Sequence, residues 1–222
     1  DDAIAELVAE ATRLSAELKV IQPHEMGRYE GDWEAGVVMS LPNGSRINLP
    51  FYGRYEIDNA TLSIEAARVI TSRIRGKLPA NFEALVRSAL ESALWPGRCE
   101  KLSSAPDVYI DGAVNPLSLG VYLESVRSRL SQPVVVVAAV PSDRDIANTY
   151  RMLAEYADHL ILTRSSRNIT ISFPDESSGI SAATKAIREC SRSIPVEYVS
   201  TIGEAIDLAR RTAGEGGTVV MA

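Results

Sequence analysis

Beyond about residue 98 the chain alternates short apolar segments with longer amphipathic ones, and no other feature of the sequence constrains its fold as much. The predicted strands are 99–102, 107–110, 134–140, 159–163, 196–199 and 218–221, and the predicted helices are 117–130, 144–157, 179–192 and 202–213. Short apolar strands separated by amphipathic helices are typical of a parallel sheet that is covered on both faces. Residues 134–137 are all valine and therefore predict a central strand. We expect an α/β fold in which residues 96–222 form a Rossmann-like, mostly parallel sheet with helices on both faces.

The preceding part of the chain has a different pattern. Apolar residues recur at helical spacing over 3–19 and again over 58–76, which predicts two helices. Between them, two β-rich runs, 35–41 and 45–51, flank the dipeptide Asn43-Gly44. Asn-Gly between such runs is a strong signal of a β-hairpin.

These elements are too few for a complete α/β domain. Asp58 or Asn59 is expected to cap the second helix, and Gly76 is expected to end it. We therefore interpret residues 1–76 as a partial domain with a β-hairpin and helices, the end of a larger domain, and residues 77–95 as a linker helix.

Composition excludes some classes of function. The net charge of −6 argues against general binding to nucleic acid or to an anionic membrane. Cys99 and Cys190 have neither metal-ligand spacing nor the density of a disulfide framework, so a reduced, cytoplasmic setting is expected. No apolar run is long enough to cross a bilayer. The chain begins without Met and stops on a predicted strand, so both ends are interpreted as cuts in a longer protein.

Two short segments carry the candidate chemistry. The first segment, Trp95-Pro96-Gly97-Arg98, places an arginine in a Pro-Gly turn, from which the guanidinium can bind phosphate. Asp111-Gly112-Ala113-Val114-Asn115-Pro116 follows a predicted strand and precedes a predicted helix, which places a carboxylate and free N–H groups at the carboxyl edge of the sheet. Structural alternatives remain for both: Arg98 as a solvated surface charge and Asp111 as the cap of the following helix.

These segments resemble those of a known family. Residues 53–60, Gly-Arg-Tyr-Glu-Ile-Asp-Asn-Ala, resemble the Gly-x-His/Phe-Gln-x-x-Asn-Ala segment of Mur-type ligases. Residues 95–98 and 111–116 resemble the Trp-Pro-Gly-Arg and Asp-Gly-Ala-His-Asn-Pro of folylpolyglutamate synthases, and 142–146 matches the place of their Asp-Lys-Asp. Order and spacing agree, so the chain resembles the C-terminal portion of a folylpolyglutamate synthase in the Mur ligase superfamily.

The resemblance implies an ATP-dependent amide ligase. In that family ATP phosphorylates a carboxylate to an acyl phosphate, and the amine of glutamate displaces the phosphate from a folate-type acceptor. The nucleotide lies between a central P-loop domain and the C-terminal domain. The resemblance implies that Asn59, Arg98 and Asp111 contact the nucleotide. It also implies that Arg98 and Asp111 are catalytic. The implied cofactors are ATP and Mg, with the metal ligands outside this chain.

Departures from the family pattern leave alternatives open. The sequence has no Gly-x-x-x-x-Gly-Lys-Ser/Thr, so a missing N-terminal P-loop segment is an expected partner and the chain alone should be inactive. Val114 stands where the family has His, and Tyr55-Glu56 stands where it has His/Phe-Gln. A degenerate nucleotide-binding or scaffold module is one alternative, and a Mur-type ligase with a different acceptor is another. Dihydrofolate synthesis and chain elongation are not separated.

Overall fold

The computed structural model describes residues 2–165, 171–190 and 192–222. The first part contains α1 (Asp2–Arg13), β1 (Arg28–Trp33), β2 (Gly36–Ser40), β3 (Arg46–Leu49), α2 (Glu56–Arg75) and α3 (Phe82–Glu91). The second part contains β4 (Glu100–Ser103), β5 (Asp107–Ile110), α4 (Pro116–Val126), β6 (Val134–Ala138), α5 (Ile146–Tyr156), β7 (His159–Leu162), α6 (Glu176–Glu189), β8 (Val196–Tyr198), α7 (Ile202–Ala213) and β9 (Thr218–Met221). Short 3-10 helices occupy Pro23–Glu25 and Arg127–Arg129.

The second part is built on a six-stranded sheet of order β4-β5-β9-β6-β7-β8. Strands β5, β9, β6, β7 and β8 run parallel, and β4 pairs antiparallel with β5 at one edge. The mostly parallel α/β fold is therefore confirmed, and β6 lies inside the sheet as its valines predict. The last strand, β9, lies between β5 and β6 and pairs with both.

Helices cover both faces of this sheet. Side chains alternate along β6: Val134, Val136 and Ala138 pack in one cluster with residues of α4, α5 and α6, whereas Val135 and Val137 pack in another with α7. Because each face of the strand meets a helix layer, no polar residue is tolerated on either side.

The first part contains a small antiparallel sheet, β1-β2-β3, packed on α2. The predicted hairpin is confirmed: β2 and β3 are joined through Gly44, which has a φ of +82°, and the Asn43 carboxamide accepts a hydrogen bond from the Ser45 N–H at 2.9 Å. Strand β1 was not predicted, because it is a polar edge strand with most of its side chains exposed and a bulge near Gly31.

Two expectations for the helices are wrong. α2 begins at Glu56, so neither Asp58 nor Asn59 caps it; both lie inside its first turn. α1 ends at Arg13 rather than continuing to residue 19, and the apolar side chains of Ile4 and Leu7 are exposed. Gly76 does end α2, in a left-handed conformation with a φ of 72°.

Candidate functional site

A cavity of about 450 Å³ lies where the first turn of α2, the turn before β4 and the β5–α4 turn meet. Its wall includes the three residues singled out from the sequence, Asn59, Arg98 and Asp111. Trp95 also borders it, with 54% of its surface exposed. The two motif segments and the start of α2, far apart in sequence, therefore share one concave surface of the size that small-molecule sites have.

Asp111 is a buried acid of this wall, with its side chain 5% exposed. It directly follows β5, and its N–H donates to the carbonyl of Met221 at the end of β9 at 3.1 Å. Its Oδ2 accepts from the Tyr55 hydroxyl at 2.5 Å and from the Cys99 N–H at 2.8 Å. Because both of these partners use Oδ2, Oδ1 is the oxygen left to face Arg98 and the cavity.

Arg98 is held by its backbone while its side chain stays accessible. Its N–H donates to the carbonyl of Trp95 at 3.3 Å, and the Gly112 N–H donates to the carbonyl of Gly97 at 3.1 Å, which ties the two motif turns together. The guanidinium Nη1 lies 4.0 Å from Asp111 Oδ1, and the Arg98 side chain is 44% exposed. Because the backbone of Arg98 is fixed and its guanidinium is accessible, the side chain can contact an anionic ligand in the cavity.

Gly112 makes room for that guanidinium. A Cβ at this position would lie 2.6 Å from Arg98 Nη1, closer than real Cβ contacts allow. Any side chain here would displace Arg98, so the glycine of the Asp-Gly turn determines where the positive charge lies.

Asn59 lies one turn into α2, where its Nδ2 donates to Glu56 Oε2 at 2.9 Å. Glu56 is 3% exposed and also lines the cavity. Burial raises the pKa of Glu56, with Asp111 adding to the rise while the hydrogen bond from Asn59 and the charge of Arg98 oppose it. A buried acid thus lies behind the amide that faces the cavity.

The structure contradicts the helix-cap alternative for Asp111. Asn115, not Asp111, caps α4, because its side chain accepts from the Ser118 N–H at 3.0 Å. Val114 lies half-buried in the same turn, between the cavity residues Ala113 and Asn115. Asp145 caps α5 by accepting from the Asn148 N–H at 3.2 Å.

Tyr55 and Glu56 were noted in the sequence only as departures from a family pattern. Burial and the hydrogen bond to Asp111 raise the pKa of Tyr55, so its hydroxyl remains a donor. The sequence signal for Glu56 was its position three residues before Asn59, which places both on one face of a helix. The Tyr55–Asp111 contact joins residues 56 positions apart and has no local signal.

A family model matches the second part of the chain. Residues 97–222 match the model of the Mur ligase, glutamate ligase domain, which begins at the Gly-Arg of the Trp-Pro-Gly-Arg turn and ends at the last residue. The match covers more than half of the chain. The chain belongs to the Mur ligase family.

Curated relatives of this Mur ligase chain include two bacterial enzymes. The folylpolyglutamate synthase of Lacticaseibacillus casei is 33% identical over 104 residues, 46% of this chain and 23% of that protein. The dihydrofolate synthase/folylpolyglutamate synthase of Bacillus subtilis is 32% identical over 112 residues, 50% of this chain and 25% of that protein. The matched segments thus span about a quarter of each relative's length.

A solved structure extends the likeness of the Mur ligase fold to almost the whole chain. The Mycobacterium tuberculosis folylpolyglutamate synthase complexed with ADP superposes with a TM-score of 0.78 at 24% identity, covering 98% of this chain and 49% of that one. The first part and the sheet domain therefore share the fold of the matching half of that protein.

In the ranges that the structure describes, none of the helices combines the length and apolar character needed to cross a membrane.

Proposed function

We propose that the protein is an ATP-dependent amide ligase of the folylpolyglutamate synthase type, which adds glutamate to a folate-type carboxylate through an acyl phosphate. The observation that carries the proposal is the shared cavity of Asn59, Arg98 and Asp111. Family membership and the named relatives support the same activity. In this proposal residues 96–222 are the glutamate ligase domain, residues 77–95 the linker, and residues 1–76 the end of the central ATP-binding domain.

The cavity residues suit a nucleotide. The Asn59 amide offers both a donor and an acceptor for a base edge. Asp111 Oδ1, left open by the contacts of Oδ2, can accept from a ribose hydroxyl. The guanidinium of Arg98 can hold phosphate oxygens and offset the negative charge that develops on a transferring phosphoryl group. These residues would form the C-terminal wall of an ATP cleft.

Magnesium fits this part of the protein poorly. The acids of the cavity wall, Glu56 and Asp111, are buried, and one oxygen of each already accepts hydrogen bonds from protein donors. Within the described ranges, no group of three or more His, Cys, Asp or Glu residues is placed to hold a metal ion. In this proposal the metal ligands and the P-loop lie outside residues 1–222.

The test is ATP-dependent incorporation of labelled glutamate into a pteroyl acceptor by the full-length protein. Arg98→Ala should lower the rate by about 100-fold or more, because it removes a charge aimed at the transferring group. Arg127→Ala is the matched control, since its side chain is 68% exposed and pairs with Glu124 outside the cavity. Unchanged activity in Arg98→Ala would refute the assignment, and nucleotide binding without glutamate incorporation would favour the binding module.

A further inference from the structure

Glu56 has no role among the proposed nucleotide contacts, although it lines the same cavity. Its side chain is almost completely buried, at 3% exposure, and lies near a second acid, Asp111. Burying a carboxyl group costs free energy unless hydrogen bonds compensate for the lost water. The burial of this carboxyl group in a binding cavity therefore needs a physical explanation.

The carboxyl group of Glu56 makes a single side-chain hydrogen bond within the described ranges. Its Oε2 accepts from Nδ2 of Asn59 at 2.9 Å, and its Oε1 is buried without a hydrogen-bond partner there. Both residues lie on the first turn of α2, so the helix itself sets their spacing. An ionised carboxylate can only accept, so it must be the nitrogen and not the oxygen of the Asn59 amide that faces Glu56.

This contact determines what Asn59 presents to the cavity. With one N–H given to Glu56, the amide retains its Oδ1 as an acceptor and its second N–H as a donor. That pair matches the edge of a 6-aminopurine, which has an exocyclic N–H donor beside a ring-nitrogen acceptor. A 6-oxopurine has a carbonyl oxygen in place of the amine, so it needs the amide turned by half a rotation. The turned amide would place Oδ1 against the Glu56 carboxylate, oxygen against oxygen.

We propose that Glu56 is a positioning residue that makes the cavity select a 6-aminopurine nucleotide over a 6-oxopurine nucleotide by fixing the orientation of the Asn59 amide. The inference rests on the proposed function, because it takes Asn59 as the base contact. Its test is therefore a comparison between nucleotides rather than the presence of binding or of ligase activity.

The first experiment measures the dissociation constants of three nucleotides for the unchanged full-length protein. These are ATP, inosine triphosphate and purine riboside triphosphate, which has only hydrogen at C6. A fixed amide gives the order ATP, then purine riboside triphosphate, then inosine triphosphate, with the last about 10-fold or more weaker than ATP. An amide that turns freely would bind inosine triphosphate more tightly than purine riboside triphosphate, and that order would overturn the proposal.

The second experiment removes the contact. Glu56→Met keeps a similar volume without an acceptor, so the ratio between inosine triphosphate and ATP should fall to within about 3-fold. Glu56→Gln offers both an oxygen and an N–H to Asn59, so it accepts either orientation of that amide and should lower the ratio as well. An unchanged ratio in Glu56→Met would overturn the proposal, and if that variant does not fold, the order measured on the unchanged protein decides. If the unchanged protein binds none of the three nucleotides, the proposed function itself fails.

Discussion

The hydrogen bond between Tyr55 and Asp111 links the residue before α2 to the end of β5 beside the cavity, and its strength can be measured. The Tyr55 hydroxyl lies 2.5 Å from Asp111 Oδ2, and the Asp111 side chain is 5% exposed. A hydrogen bond to a charged group contributes about 1.5–3 kcal/mol to stability. Oδ2 keeps the Cys99 N–H as a second donor, and Tyr55 is only half-buried. Tyr55→Phe should therefore lower the free energy of unfolding by ~1–2 kcal/mol.

Urea unfolding followed by circular dichroism would measure this loss. For a chain of this size, with a slope of roughly 2–3 kcal/mol per molar urea, the midpoint should fall by about 0.5 M. Tyr29→Phe is a matched control, because the Tyr29 hydroxyl donates to Asp32 at 2.8 Å with the tyrosine 39% exposed. An exposed contact of this kind should change stability by less than ~0.5 kcal/mol.

A double-mutant cycle with Asp111→Ala isolates the pair. If the contact contributes as the geometry indicates, the two substitutions should be non-additive by about 1 kcal/mol or more. Additivity within ~0.3 kcal/mol, or equal losses for Tyr55→Phe and Tyr29→Phe, would refute the reasoning.

Other predictions concern the same wall. Gly112→Ala should displace the flexible guanidinium of Arg98 and weaken ATP binding about 10-fold in titration calorimetry, with little change in Tm. Gly203→Ala is the control: a Cβ at this position meets no neighbour, so ATP binding should stay unchanged. Asn115→Ala removes the cap of α4 and should cost ~1 kcal/mol in urea unfolding; no measurable loss would contradict the assigned cap. Glu56→Gln should raise Tm, and the increase should grow as the pH rises above ~4.3, the pKa of a glutamate in the unfolded chain. Burial raises the pKa of Glu56 in the folded state, so the unchanged protein loses stability as the pH rises from the pKa of the unfolded state to that of the folded state. A difference in Tm that does not depend on pH would contradict this reasoning.

Much of the fold could be predicted because the signals are local. The helix over residues 202–213 and the strand over 218–221 were predicted with the boundaries that the structure has. The Asn43-Gly44 turn was predicted because few other residues accept its backbone geometry. The start of α2 was misplaced by two residues, since Glu56 and Ile57 give no stop or cap signal of their own. Strand β1 was missed because an exposed edge strand lacks the apolar alternation on which strand prediction depends.

Some residues of the candidate site could be predicted from the sequence, and others could not. Arg98, Asp111 and Asn59 were candidates because they lie in short motifs that resemble those of a known family, and they line one cavity in the structure. The role of Asp111 as a cap was excluded only by the position of Asn115, and the role of Asn59 as a cap only by the start of α2 at Glu56. Glu56 was not a candidate in the sequence, because a glutamate at a helix start is common and becomes unusual only once it is buried.

The sequence by itself determined the class of each element and the chemistry available at each turn, because periodicity and turn residues act over a few positions along the chain. Only the tertiary structure decided that β9, the last strand, enters between β5 and β6, where the carbonyl of Met221 meets the Asp111 N–H. It also decided that Asp111 Oδ2 receives both protein donors and that Glu56, which accepts from Asn59 Nδ2, is buried. These outcomes depend on contacts between residues brought together by packing, or on burial that no local pattern encodes.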